Sequence, residues 1–332
     1  MRFSLRLNND LPLADYVALA RTAESVGFDQ LWISNDLFLR SAPVILAAVA
    51  HATDRIELGT GILNPHTIHP AELAMLAATM DELTGCRFNL GLGAGAADFL
   101  TWIGLSDREP ARTMRETIDG VRRLLTGEAL APEGGRFLRG TAEAYLRFRP
   151  PRVTPIYVGA MGPRLLGLAG ELADGALPLL LPPEHYFTVR PLIEAGMARR
   201  AAARGPLDLA ACVWVSVAED GTAARRALAE KVAYYGQALG DLIHARLGVT
   251  REAFAPITRA AMVERDLGRA AAMVTDAMLA IGVAGPPEAV VDRLLPLVRA
   301  GVRHVSLGPP LGPDPVRAVD LLGRRVLPRL AA

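Results

Sequence analysis

Apolar residues fall along this chain in two alternating rhythms. Short runs of Val, Ile, Leu and Phe are followed by stretches with an apolar residue every three or four positions. The first rhythm fits strands buried on both faces, and the second fits amphipathic helices. Residues 3–7 predict a strand, and Leu13, Tyr16, Val17 and Ala20 form one face of a helix after it. Asp10 is placed to cap that helix, Pro12 suits its first turn, and Gly27 stops it. The same reading predicts strands at 30–34, 56–62, 88–93, 156–160, 175–180, 209–218 and 304–307. Helices are predicted at 42–51, 70–83, 111–125, 164–173, 192–203, 288–300 and 315–326.

Two segments break the rhythm. Residues 126–154 are rich in Gly, Pro and Arg and read as an irregular excursion with a short hairpin, while 223–278 read as two or three helices. Strand alternating with helix about eight times implies a parallel sheet with helices outside. Eight units point to an α/β fold of the (β/α)8 TIM-barrel type, ahead of an open doubly wound sheet. No low-complexity tract or long polar linker divides the 332 residues. The chain therefore reads as a single barrel domain, 1–332, with insertions at about 126–154 and 223–278.

Composition narrows the classes. Hydrophobic residues make up 51% and charged residues 21%, which excludes a disordered chain. Lys+Arg is 36 against 35 Asp+Glu, a net charge of +1, which argues against nucleic-acid or membrane-surface partners. Cys86 and Cys212 can form neither a disulfide scaffold nor a CxxC zinc site. No apolar run reaches the roughly 18 residues of a membrane span, and MRFSLRLNND lacks a signal-peptide core. A cytoplasmic protein with reduced thiols is expected.

Barrel enzymes react at the C-terminal ends of their strands, so the residues just after each strand carry the candidate chemistry. The third strand runs into GTGILNPHTIHP, 59–70. Its glycines mark a bulge or a close backbone approach, and Asn64, His66 and His69 follow; a kinked strand with a polar loop is the structural alternative. The fourth runs into GLGAGA, 91–96, a turn that suits a phosphate or a flat ring. A dinucleotide fingerprint needs a helix at once, and here Phe99, Trp102 and Ile103 come first. The fifth ends in VGAMGP, 158–163, with Arg164 at a helix start where free N–H groups bind anions. After the second strand come Asn35 and Asp36, where a lone Asp is otherwise a cap or turn residue. The last strand ends in a rigid Gly/Pro loop, LGPPLGPDP. HExxH, GxSxG and GxxxxGK[ST] motifs are absent, so common metalloprotease, hydrolase and P-loop chemistry has no support.

The motifs AESVGFDQLWISND, GTGILNPHTIHPAELAMLAATMDELTGCRFNLGLGAG, PIYVGAMGPRLLGLAGELADGAL and GVRHVSLGPPLGPDPVRAVDLLGRRVLP occur in this order. Together they resemble the luciferase-like superfamily of flavin and deazaflavin barrels. Within it they are most similar to the coenzyme F420-dependent methylenetetrahydromethanopterin reductase group, and the likeness spans almost the whole chain. The resemblance implies an F420 pocket at the barrel mouth and hydride transfer between the deazaflavin C5 and a small organic substrate. It implies a non-proline cis peptide at Gly61–Ile62 behind the ring, with Asn35 and Asn64 bonding the cofactor. Ala94 and Gly95 would lie along its chain, and Ala160, Met161, Gly162 and Arg164 would hold its phosphate.

Three positions depart from the family pattern. The reductases commonly carry a carboxylate where Arg6 stands, and Thr-Asp-His where Ser34, Asn35 and Asp36 stand. Sugar-phosphate dehydrogenase relatives place a Glu at the position of Ala96. Asp36 and Arg6 are nevertheless the catalytic candidates: Asp36 as an acid or hydrogen-bond acceptor, Arg6 favouring an anionic substrate or neutralising Asp36. An FMN-dependent monooxygenase with a reductase partner, and a cofactor-binding protein without turnover, stay open as alternatives. The resemblance also implies a homodimer or larger homo-oligomer, packed through helices near 42–51 and 73–80, while the barrel reading places both Trp32 and Trp102 near the mouth.

Overall fold

Eight parallel strands close into a barrel with an apolar outer face, and its lumen is polar at the N-terminal end and apolar around Trp32. In the computed structural model, which describes residues 1–130 and 135–332, the first units alternate simply. They are β1 (Arg2–Leu7), α1 (Leu13–Ser25), β2 (Gln30–Ile33), α2 (Ala42–Ala50), β3 (Glu57–Thr60), α3 (Pro70–Thr84) and β4 (Phe88–Leu92). Two helices, α4 (Ala97–Trp102) and α5 (Pro110–Leu125), precede β5 (Ile156–Val158). Then come α6 (Pro163–Leu172), β6 (Gly175–Ala176), α7 (Tyr186–Met197) and β7 (Asp208–Val217). The second insertion holds α8 (Gly221–Tyr235), α9 (Asp241–Leu247), α10 (Ala255–Thr258), α11 (Leu267–Ala272) and α12 (Asp276–Leu279). The chain closes with β8 (Val283–Gly285), α13 (Pro287–Arg299), β9 (His304–Leu311), α14 (Pro315–Leu321) and α15 (Leu327–Ala331).

Neighbouring strands pair in parallel from β1 to β6; β6 then pairs with β7, β7 with β9, and β9 with β1, which closes the circuit. The three-residue β8 stands outside it, paired with Val215–Val217 at the far end of β7. It is too short to read as a strand in the sequence.

Several local expectations are corrected. α1 begins after Pro12 with no side-chain cap, so Asp10 does not cap it. α7 starts at Tyr186, ahead of the predicted 192, and carries Pro191 inside it. Proline is favoured at the first helical position, which is why 191 reads as a start. The described part of 126–154 contains turns and bends but no strand, while 131–134 of that segment lie outside the described residues. The second insertion holds one 15-residue helix, α8, and four short ones, with 3-10 and π turns among them. α4 follows the fourth-strand glycines at once, although it has only six residues.

The outer core packs Leu5, Leu31, Ile33, Leu58 and Leu90 of the strands against Leu19, Ile45, Leu73 and Ile118 of the helices. The opposite strand faces build a polar floor at the N-terminal end of the barrel. There Asp208 accepts from Arg2 (2.8 Å) and the Tyr157 hydroxyl (2.8 Å), and lies 3.0 Å from His304 Nδ1. His304 Nε2 lies 2.8 Å from Ser4 Oγ, and Glu57 accepts from Gln30 (2.7 Å) and Asn89 (2.8 Å). Above the floor, the fully buried Trp32 fills the lumen, its indole N–H donating to Gln30 Oε1 and its ring 4.8 Å from that of Tyr157. Gly59 makes room for it, since a Cβ there would overlap the indole. A closed floor and a filled waist leave the C-terminal mouth for chemistry.

The floor has a testable pH dependence. Burial pushes the Asp208 carboxyl up, but bonds from His304, Tyr157 and Arg2 overcome it and hold the group at about 2. An unfolded Asp titrates near 4. The stabilisation is therefore complete above about pH 4 and is lost as pH falls from about 4 to 2. The Asp208→Asn variant should be less stable at neutral pH, and its urea midpoint should fall less steeply across that window. Parallel pH curves for variant and parent would show that Asp208 is not the linked group.

Candidate active site

The turns after β1 to β5, together with β7 and α8, form the rim of the mouth. After β3 the Gly61–Ile62 peptide bond is cis, at the position the resemblance implied. The Ile62 side chain then lodges against the turns after β4 and β5. A Cβ at Gly93 would meet Ile62 Cγ1 at 2.8 Å, and one at Gly159 would meet its Cγ2 at 2.8 Å. Both glycines thus leave space for Ile62, which stays partly exposed at the mouth.

Asn64, buried beside Gly95, accepts from the N–H groups of His66 and Thr67 (both 3.1 Å) through Oδ1. Asn35 Oδ1 accepts from Ala42 N–H (3.0 Å) at the start of α2. In each asparagine the oxygen is committed to the backbone, which leaves the side-chain NH2 as a donor. Gly95 takes a left-handed conformation (φ 81°), and Ala94 is half-buried before it. His66 Nε2 lies 3.0 Å from Asp107, tying this loop to the one before α5, while His69 accepts from Ala71 N–H to cap α3. The two histidines therefore do structural work.

After β5, Ala160 is buried, Met161 is 41% exposed, and Gly162 and Pro163 open α6 with no side-chain cap. The first turn of α6 has no side-chain cap, and the exposed Arg164 lies within it. Trp102 stands at the rim, 64% exposed, with its ring 4.8 Å from Phe99 and 6.3 Å from Phe38. Trp32 was expected beside it but lies down in the lumen, because its strand position points inward at the waist. Ala96 is exposed.

The backbone of Asp36 is clamped by Asn9, which accepts from its N–H (3.2 Å) and donates to its carbonyl (3.0 Å). Among the described residues nothing bonds its carboxylate. Burial raises its pKa, opposed by the charge of Lys231 and reinforced by that of Asp10. Arg6 turns the other way. Its guanidinium donates to Ser306 Oγ (3.2 Å) and the Val213 carbonyl (2.8 Å), between β7 and β9. Burial disfavours its charge, and the cation that acts on Asp36 is Lys231. The expected neutralisation of Asp36 by Arg6 is therefore corrected.

Sequence reasoning missed Lys231. It sits on α8, its ammonium 3.8 Å from the centroid of the Tyr235 ring and 5.3 Å from that of Trp214. Burial pulls its pKa down to about 8 against the pull of Asp10 and Asp36, and Arg6 lowers it further. A helix in an insertion does not advertise itself as part of a barrel mouth. The signal was compositional: this is the chain's only lysine, beside 35 arginines. Among the described residues no cluster of His, Cys, Asp and Glu is suited to a metal ion.

Comparison with known proteins agrees with this geometry. The family model described as Luciferase-like monooxygenase matches residues 1–304. The 5,10-methylenetetrahydromethanopterin reductase of Archaeoglobus fulgidus is 33% identical over 334 residues, covering 99% of this chain and 100% of that protein. The F420-dependent glucose-6-phosphate dehydrogenase of Nakamurella multipartita is 30% identical over 330 residues, covering 95% and 91%. The solved structure of the coenzyme F420 dependent tetrahydromethanopterin reductase from Methanopyrus kandleri superposes with a TM-score of 0.90 at 31% identity, covering 99% of both chains.

Proposed function

From the premise that the chain belongs to the luciferase-like monooxygenase family, we propose that it is an F420-dependent oxidoreductase acting on a small organic substrate at the barrel mouth. The observation that carries this reading is the Ile62 seat: an apolar side chain on a cis peptide, held between two glycine turns, suited to backing a flat ring. The donors around it fit the same cofactor. The side-chain NH2 groups of Asn35 and Asn64 suit its polar edge, and Ala94 and Gly95 suit the chain that leaves the ring. The backbone at Ala160, Met161 and Gly162, with Arg164, suits its phosphate.

When bound, F420 supplies a carbon that gives or takes a hydride. The protein's part is to position that carbon and exclude water. Arg6, Asn35 and Ala96 depart from the pattern that the resemblance implies, so the substrate is assigned no more narrowly than a small organic molecule. Asp36, with its raised pKa and unbonded carboxylate, is poised to accept or share a proton.

F420 is preferred over FMN because relatives matching nearly the whole chain carry F420 dependence in their names. Side-by-side titration with F420 and FMN, read by tryptophan fluorescence, tests this. Tight F420 and weak FMN binding is the expected result. Preference for FMN would move the protein to the monooxygenase branch, and binding of neither would end the cofactor assignment.

We also read the chain as a cytoplasmic homodimer or larger homo-oligomer. Val44 on α2 (60% exposed) and Met75 on α3 (44% exposed) give those helices an apolar outer face. Among the described residues no helix is long and apolar enough to cross a membrane. Light scattering at a monomer mass would remove the dimer.

A further inference from the structure

We propose that Lys231 is a catalytic residue that hands the substrate its proton as the hydride arrives. The inference rests on the F420-dependent reading above. Its own support begins with composition. Wherever else this chain needs a basic side chain it uses arginine, 35 times, and it keeps lysine once. Arginine matches lysine as a charge, a salt-bridge partner and a stacking group, but it cannot release a proton near neutrality. The single lysine stands where that difference matters.

Geometry supplies the second strand of the argument. The Lys231 ammonium lies over the Tyr235 ring at 3.8 Å and beside Trp214, a slot that holds a cation without a carboxylate. Among the described residues it has no ion pair and no hydrogen bond, and its side chain is only partly buried. The groups around it come from several elements. Arg6 lies on β1, Asp10 and Asp36 on the turns after β1 and β2, and Tyr235 on its own helix. From β7 comes Trp214. Of the charged residues in the insertion, Asp276 pairs with Arg225, and Arg269 with Glu264. A pKa drawn down to about 8 leaves the ammonium protonated at neutral pH yet able to let go.

The step balances for a substrate with a carbon–heteroatom double bond. F420 would supply the hydride to that carbon, the double bond's electron pair would pass to the heteroatom, and the heteroatom would take its proton from Lys231 Nζ. The substrate is reduced by two electrons, the cofactor is oxidised by two, and the neutral amine recovers its proton from water. Asp36 favours the charged form of Lys231 and so assists that recovery.

A lone lysine makes the test direct, because lysine labelled with carbon-13 gives one Cε signal. Titrated without cofactor, that signal should turn over near pH 8, and Asp36→Asn should move the midpoint lower. Lys231→Arg should keep F420 affinity within about twofold. With methylenetetrahydromethanopterin or a panel of imines and ketones as probes, the same variant should lose about 100-fold or more in kcat. A Cε midpoint at the ordinary lysine value, or Lys231→Arg with an unaltered rate and pH profile, overturns the proposal while F420 binding stands. Failure of the unaltered protein to bind F420 overturns the cofactor reading instead, and the lysine's role in hydride transfer goes with it.

Discussion

The Gly159→Val variant is expected to bind F420 roughly 10- to 100-fold more weakly than the parent while the barrel stays folded. A Cβ at this position already meets Ile62 Cγ2 at 2.8 Å, and valine adds two methyl groups beyond it. Ile62 cannot retreat toward β4, where the Gly93 turn sits equally close. It must rise out of its seat into the space the ring would take. Overpacking of this kind costs about 1–3 kcal/mol. At a rim that is partly open, most of that cost falls on the bound state, and about 1.4 kcal/mol is tenfold in affinity. Fluorescence titration gives the affinity, and a thermal melt controls for folding. Unchanged affinity in a folded variant would show that Ile62 does not back the cofactor.

The second large effect is on stability. Asp81 on α3 is fully buried and receives four donors. Arg152 grips both oxygens (2.9 and 3.0 Å), Thr154 donates at 2.5 Å, and the N–H of Phe88 donates at 3.2 Å. One carboxylate thus ties a helix to the start of β4 and to the approach to β5. Replacing it with alanine leaves those donors facing one another with no acceptor. Breaking a fully buried pair from one side costs about 3–5 kcal/mol; Arg152 is 33% exposed and also donates to the Phe88 carbonyl, so the expected loss falls at or below the lower end of that range, and Asp81→Asn, which keeps the shape and one acceptor, should lose less. Urea unfolding of the two variants gives the ranking. Equal stability of parent and Asp81→Ala would mean that Arg152 and Thr154 find solvent without cost.

The barrel was legible because parallel strands buried on both faces are written as apolar runs, and their helices as a 3.6-residue rhythm. What escaped were features with too few residues to show a rhythm, such as β8, or with a proline that mimics a start, as in α7. The candidate site was legible in part. Glycine turns after the third, fourth and fifth strands mark positions where a side chain is unwelcome. They do not say which neighbour takes the space, and here Ile62 and Trp32 take much of it. Asp81 reads as one more polar residue on a helix; only the fold brings Arg152 and Thr154 to it from 71 and 73 positions away. Lys231 was hidden for a different reason. Its charge was counted together with the arginines, and that sum erases the one distinction that singles it out.

With its floor closed by Asp208, His304 and Tyr157 and its waist filled by Trp32, the barrel is a vessel with one door. Two ligands that share a door do not come and go independently. For the cofactor and substrate proposed above, the expected order is compulsory, with the ligand seated deeper entering first and departing last. The later arrival also acts as a stopper. At high concentration it would re-enter before the deeper ligand has left, and excess substrate is then expected to slow turnover.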